Sequence, residues 1–119
     1  MLEKKIQSFY HSFTGLKVAW QEESNFRIQV ALAFLALFFA WFLEVSSIEL
    51  IIVFFLIGFV LSAEALNTAL EEFCDMVKSD PDPHIGRIKD LAASAVLISS
   101  TTALIVGAII FLPRFLSLV

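Results

Sequence analysis

Glu64, Asn67, Glu71 and Asp75 stand at intervals of three, four and four residues in the stretch EALNTALEEFCD, Glu64–Asp75. On a helix these positions form one narrow stripe of three carboxylates and an amide. Oxygen ligands of this kind grip a hard divalent cation. A carboxylate held at lipid depth, partly stripped of water, also suits general-base work. The setting makes the stripe notable, because it begins while the chain is still in the apolar run IELIIVFFLIGFVLSA, Ile48–Ala63. A charged side chain near the centre of a bilayer costs at least ~2.5–3.5 kcal/mol, so a stripe of them marks function. The plain alternative is a helix that leaves the membrane near Ser62, with acids that are simply solvated.

The composition says what must position such a stripe. Of 119 residues, 59% are hydrophobic and 17% charged, with thirteen Phe. Mean hydropathy is +0.86. Soluble domains run near 45–50% apolar and about 25% charged, and a chain this small could not hide the excess from water. The expected class is therefore an all-α integral membrane protein forming a single domain over residues 1–119. The net charge of −4 and the absence of a basic run exclude nucleic acid as a partner. Cys74 is the sole cysteine, which rules out an intrachain disulfide or a thiolate cluster. The N-terminus does not read as a secretory signal, since no continuous apolar core follows its lysines.

Leu2, Ile6, Phe9, Phe13, Leu16 and Trp20 recur at helical spacing with Lys4, Lys5, Gln7, Ser12 and Lys17 between them. This pattern predicts an amphipathic surface helix within residues 1–25, lying in the membrane interface, or else packed on a partner protein. The next apolar stretch, 28–45, is broken only by Gln29 and rises about 27 Å as a helix, enough for a first span. The short connection EVSSIE forces the second span, 48–73, to return antiparallel. At about 39 Å it outruns the ~30 Å hydrocarbon core, so its last turns emerge and Glu64 falls near the boundary. Pro81, Pro83 and Gly86 then suggest a polar loop of about a dozen residues. A third span, 91–112, ends at Pro113 and Arg114. Gly58/Ser62 and Ser99/Ala103/Gly107 supply small residues for close helix approach.

Lys4, Lys5, Lys17, Arg27, Lys78, Arg87 and Lys89, seven of the eight basic residues, fall on the side of the N-terminus and the polar loop. The positive-inside rule places that side in the cytoplasm. Three polar clusters converge there: Glu22/Glu23, the acidic stripe, and Arg87-Ile88-Lys89-Asp90. Carboxylates around a cation, with a lysine as point charge for phosphate, suggest phosphoryl transfer to a membrane-borne alcohol. No GxxxxGK[ST] or GxGxxG is present, and the four glycines are scattered. Lys89 beside Asp90 reads equally as an ion pair capping the third span, and Glu22/Glu23 as a solvated turn.

Glu64–Asp75, followed by RIKDLAASAVL at Arg87–Leu97 and preceded by GLKVAWQEESNFR at Gly15–Arg27, resembles the signature of the prokaryotic membrane diacylglycerol kinases and their undecaprenol kinase relatives. The similarity covers nearly the whole chain. It implies an ATP-dependent lipid kinase, working on undecaprenol or diacylglycerol at the cytoplasmic face of the bacterial inner membrane. It also implies a homotrimer with sites shared between subunits. Carried over by position, Glu64 is the general base, Glu23 and Glu71 hold Mg²⁺, and Lys17, Glu23, Asn67, Glu71, Asp75, Lys89 and Asp90 bind ATP. The loop SDPDPHIGR departs from the family pattern, and His84 is given no role. The rival from another class is a small transporter or ion-translocating subunit using Glu64 as an intramembrane carboxylate.

Overall fold

The computed structural model describes residues 1–77 and 80–119. Among these the chain is all-helical, with α1 Leu2–Glu22, α2 Ser24–Phe42, α3 Ser47–Val77 and α4 Pro83–Leu116. Lys78, counted above for orientation, lies outside the described residues.

α2, α3 and α4 are each long and apolar enough to cross a membrane, with 19, 31 and 34 residues. At 1.5 Å per residue they measure about 28, 46 and 51 Å. Only α2 matches a hydrocarbon core of about 30 Å; α3 and α4 overhang it. The two long helices pack mainly on each other, and α2 leans on α3. Their shared core is thin: Val53, Val60 and Ala63 from α3, with Ala92, Ser99 and Ile110 from α4. Phe34, Phe54, Phe55, Leu97 and Leu104 point outward, as side chains do when lipid or another chain replaces water around a bundle.

Short-range chemistry fixes each end. α1 stops at Glu23, whose extended backbone (φ −113°, ψ 108°) also serves as the N-cap position of α2. α2 closes with a Schellman arrangement: Val45 N–H donates to the Ala40 carbonyl (3.1 Å) and Glu44 N–H to that of Trp41 (3.2 Å). Glu44 takes the left-handed conformation usual for glycine there, φ 53°. α3 opens with a capping box, Ser46 Oγ accepting from Glu49 N–H (3.2 Å) while Glu49 Oε1 accepts from Ser46 N–H (3.0 Å).

Three expectations change. The prolines do not extend a polar loop as far as Asp90; α4 begins at Pro83. Proline at a first helical position has no N–H to leave unbonded, and Asp82 caps the turn by accepting from His84 N–H (2.8 Å) and Ile85 N–H (3.3 Å). Nor does Pro113 stop the last span, since α4 runs on to Leu116. The proline removes one hydrogen bond, and Arg114 just beyond it is anchored well enough to hold the turn. α3 likewise reaches Val77, four residues past the expected 73.

Asp82→Ala should fray the first turn of α4 at a cost of about 1 kcal/mol, with Asp82→Asn holding the cap. Amide exchange at residues 84–88 reads the difference.

Candidate active site

The polar stripe rides on the overhang of α3, and exposure rises along it. Glu64 is buried, at 4% exposure. Asn67 and Glu71 are half-buried and Asp75 is exposed. Thr68 Oγ1 donates to the Glu64 carbonyl (3.0 Å) and keeps its hydroxyl within the helix. Asn67 Nδ2 donates to Glu71 Oε1 at 3.5 Å, one turn along. The other amide oxygen, Asn67 Oδ1, is buried and makes no hydrogen bond among the described residues.

Glu23 and Glu71 lie close enough to Glu64 for their charges to act on it. Glu23 gets there from the break between α1 and α2, so one chain brings both elements together. Arg27 makes that break rigid. Its Nη1 donates to the carbonyls of Trp20 (2.6 Å) and Gln21 (3.2 Å), the orphan acceptors at the end of α1.

From α4, Lys89 Nζ bonds Asp75 Oδ1 at 2.5 Å. Its charge also lies near enough to the Glu71 carboxylate to feel it. The partner of Lys89 is thus Asp75 on the facing helix rather than neighbouring Asp90. Both members of the pair are largely wet, with side-chain exposures of 37% and 67%, and exposed pairs stabilise a fold little. The pair instead holds a cation beside the acidic stripe. Lys17 and Asp90 are tied to this group by no hydrogen bond or ion pair among the described residues.

Among the described residues no three His, Cys, Asp or Glu side chains gather into a metal-holding group. Mg²⁺ takes one or two protein carboxylates and fills its shell with water and substrate phosphates. Glu23, Glu71 and the unpaired Asn67 oxygen are donors of the right hardness.

Behind the stripe, α2, α3 and α4 enclose an apolar groove of about 370 Å³. Gln29, Val60 and Leu61 line its site end, the last two one turn before Glu64 on α3, and Phe111 its far end. Ser100 Oγ is a buried hydroxyl without a partner in that lining. A Cβ built on Gly107 would meet nothing within 4 Å, so this position faces open groove.

Residues 10–111 match the family described as prokaryotic diacylglycerol kinase. The chain belongs to that family. It is 36% identical over 113 residues to the undecaprenol kinase of Bacillus subtilis (strain 168), covering 95% of this chain and 92% of that one. It is 32% identical over 110 residues to the diacylglycerol kinase of Escherichia coli (strain K12), covering 92% and 90%. The diacylglycerol kinase of Synechocystis sp. matches at 33% over 114 residues, 95% of this chain and 65% of that one. Family membership makes the chain a membrane lipid kinase, a phosphotransferase, as the resemblance implied. The transporter alternative finds no support in these matches.

Sequence reasoning missed Arg27, which reads as an ordinary basic flank of a span. It also missed the Asp75–Lys89 pair, although two antiparallel helices joined by a short turn must bring residues near the turn face to face.

Arg27→Gln should loosen the last turn of α1 by roughly 1 kcal/mol, the net worth of a typical hydrogen bond, since these bonds are exposed to solvent. Faster amide exchange at Glu23, which bonds the Ala19 carbonyl at 3.0 Å, is the expected readout. Arg27→Lys, able to reach fewer acceptors, should fall between.

Proposed function

We propose that this family member transfers the γ-phosphate of Mg·ATP to the hydroxyl of a lipid alcohol at the cytoplasmic face of a bacterial inner membrane. The observation that carries the reading is the join between groove and stripe. An apolar channel ends within one turn of a buried carboxylate, Glu64, and the stripe continues from there into water.

In this mechanism Glu64 takes the proton as the lipid oxygen bonds to the γ-phosphorus and the bond to the ADP oxygen breaks. Charge on the phosphates must be met as it shifts. Lys89 supplies a point charge, kept in place by Asp75. Asn67, Asp75, Lys17 and Asp90 complete the nucleotide set. Glu23 and Glu71 hold Mg²⁺, which when bound neutralises phosphate oxygens. Asn67, bonded to Glu71 through Nδ2, orients that carboxylate and offers Oδ1 alongside it.

Undecaprenol and diacylglycerol both present a primary hydroxyl on an apolar body. The N-F-R-I run after Glu23 leans toward undecaprenol, as does the 36% identity to the Bacillus enzyme. The chain acts as one membrane-embedded domain, with α1 lying in the interface on its Leu2, Ile6, Phe9, Phe13, Leu16 and Trp20 face. All six of these side chains are exposed, and α1 has no buried residue. The outward Gly58/Ser62 notch among Phe54, Phe55 and Phe59 suits the close approach of a second chain in a homotrimer. Basic residues on the N-terminal side set the topology.

The test offers labelled Mg·ATP with undecaprenol and diacylglycerol side by side in mixed micelles. Labelling of a lipid by the wild type, reduced roughly 10²–10⁴-fold by Glu64→Gln, is expected. Glu23→Gln and Glu71→Gln should raise the Mg²⁺ concentration needed for half-maximal rate. A folded protein that labels neither lipid overturns the reading.

Filling the groove separates lipid from nucleotide. Gly107→Leu should raise KM for the lipid several-fold and leave KM for ATP unchanged; an unaltered lipid KM would remove the groove from the acceptor site.

A further inference from the structure

α3 and α4 are tied at both ends by ion pairs. At the active-site end Lys89 meets Asp75. At the opposite end Arg114 Nη2 donates to Glu49 Oε1. Arg114 Nη1 also donates to the carbonyls of Leu43 (3.4 Å) and Glu44 (3.2 Å) in the α2–α3 turn. Glu49 cannot swing freely, because the same Oε1 accepts from Ser46 N–H in the capping box.

The spacing of the two pairs matches. Asp75 follows Glu49 by 26 residues, and Arg114 follows Lys89 by 25. On helices these intervals are about 39 and 38 Å. One pair therefore closes in the register that closes the other. A slip of a single residue would move a side chain about 1.5 Å along the axis and turn it by roughly 100°, out of reach of its partner.

Between the ends, no hydrogen bond or ion pair among the described residues links α3 to α4. Val53, Val60, Ala63, Ala92 and Ile110 are apolar, and dispersion contacts tolerate sliding. The buried hydroxyl of Ser99 bonds its own helix at the Val96 carbonyl (3.0 Å). Of the two ion pairs, the Arg114 end is the drier, with side-chain exposures of 33% and 25% against 37% and 67% at Lys89 and Asp75. It is also the stiffer, a planar fork with three acceptors.

We infer that Arg114 is a positioning residue for the phosphate-facing lysine. By clamping Glu49 and the α2–α3 turn it sets the register of α4 against α3, and so delivers Lys89 to Asp75 at the far end of the bundle. The inference rests on the assignment of Lys89 to the nucleotide made above.

The experiment uses the full chain in mixed micelles. Arg114→Gln should raise KM for ATP roughly threefold to tenfold with little change in KM for the lipid. Arg114→Lys, which keeps the charge but not the fork, should lie between. In a Lys89→Gln background, Arg114→Gln should add nothing to KM for ATP. Independent increments in the two backgrounds, or a fall in kcat with every KM unchanged, would overturn the proposal. A second measurement judges the register whatever binds at Lys89. Spin labels at Met76→Cys and Leu91→Cys, both exposed positions, are placed in a Cys74→Ala chain. Their distance distribution should broaden or shift with Arg114→Gln, and an unchanged distribution refutes the clamp. If Lys89→Gln leaves KM for ATP untouched, the nucleotide assignment fails, and the label distances still decide the register.

Discussion

A helix of about 46 Å does not fit inside hydrocarbon about 30 Å thick, and this mismatch on α3 organises the molecule. The apolar first half, from Ser47 to Ala63, satisfies the membrane. The second half carries Glu64, Asn67, Glu71 and Asp75 on the same unbroken helix, from a buried position to an exposed one. α3 is helical without a break from Ser47 to Val77, so polar side chains are displayed at graded exposure without an intervening loop. α4 overhangs at the same end, and Lys89 is therefore present to face the stripe. A shorter α3 would bring the acids into a loop and lose the gradient.

Much of this was legible in the sequence because hydropathy and period report what a membrane demands. The three spans followed from apolar runs, and the stripe from spacing along one face. Proline was misread in both places where it mattered. Pro83 looked like a break, yet with Asp82 before it to cap His84 and Ile85 it starts a helix. Pro113 looked like a stop, yet the helix continues to Leu116 with Arg114 fastened across to the α2–α3 turn. At Pro83 the deciding signal was local, an Asp cap before a proline in the first turn, whereas at Pro113 it was a bond to residues about 70 positions away, which local propensity does not contain.

The site divides along the same line. Residues on one helix face could be grouped by counting, so Glu64, Asn67 and Glu71 emerged together. Contacts between helices could not be counted. Arg27 closing the end of α1, Lys89 choosing Asp75 over its neighbour Asp90, and Arg114 reaching Glu49 each depend on how two helices meet. All three are basic residues of the kind that topology rules treat as flanking charge. Here they double as fasteners, Arg27 and Lys89 at the end that carries the acidic stripe and Arg114 at the opposite end.

In the proposed reaction the gradient of exposure along α3 lets one stripe serve two substrates that never share a phase. Glu64 and Asp75 are 11 residues apart, about 16 Å along the helix. Glu64, beside the apolar groove, is shielded from water. Asp75, at the other end, is wet and holds a cation beside it. A lipid alcohol can offer its hydroxyl at the dry end without its chain leaving the hydrocarbon, and a nucleotide can offer phosphates at the wet end without shedding its hydration. Asn67 and Glu71 occupy the interval between, half-buried and bonded to one another. In the proposed reaction the lipid oxygen meets the γ-phosphorus at the depth of Glu64, where water thins enough to strengthen charge–charge contacts, and the phosphate chain runs back past Asn67 and Glu71. That depth is set by the height of the stripe on α3, and hence by how many residues α3 spends inside the membrane before Glu64.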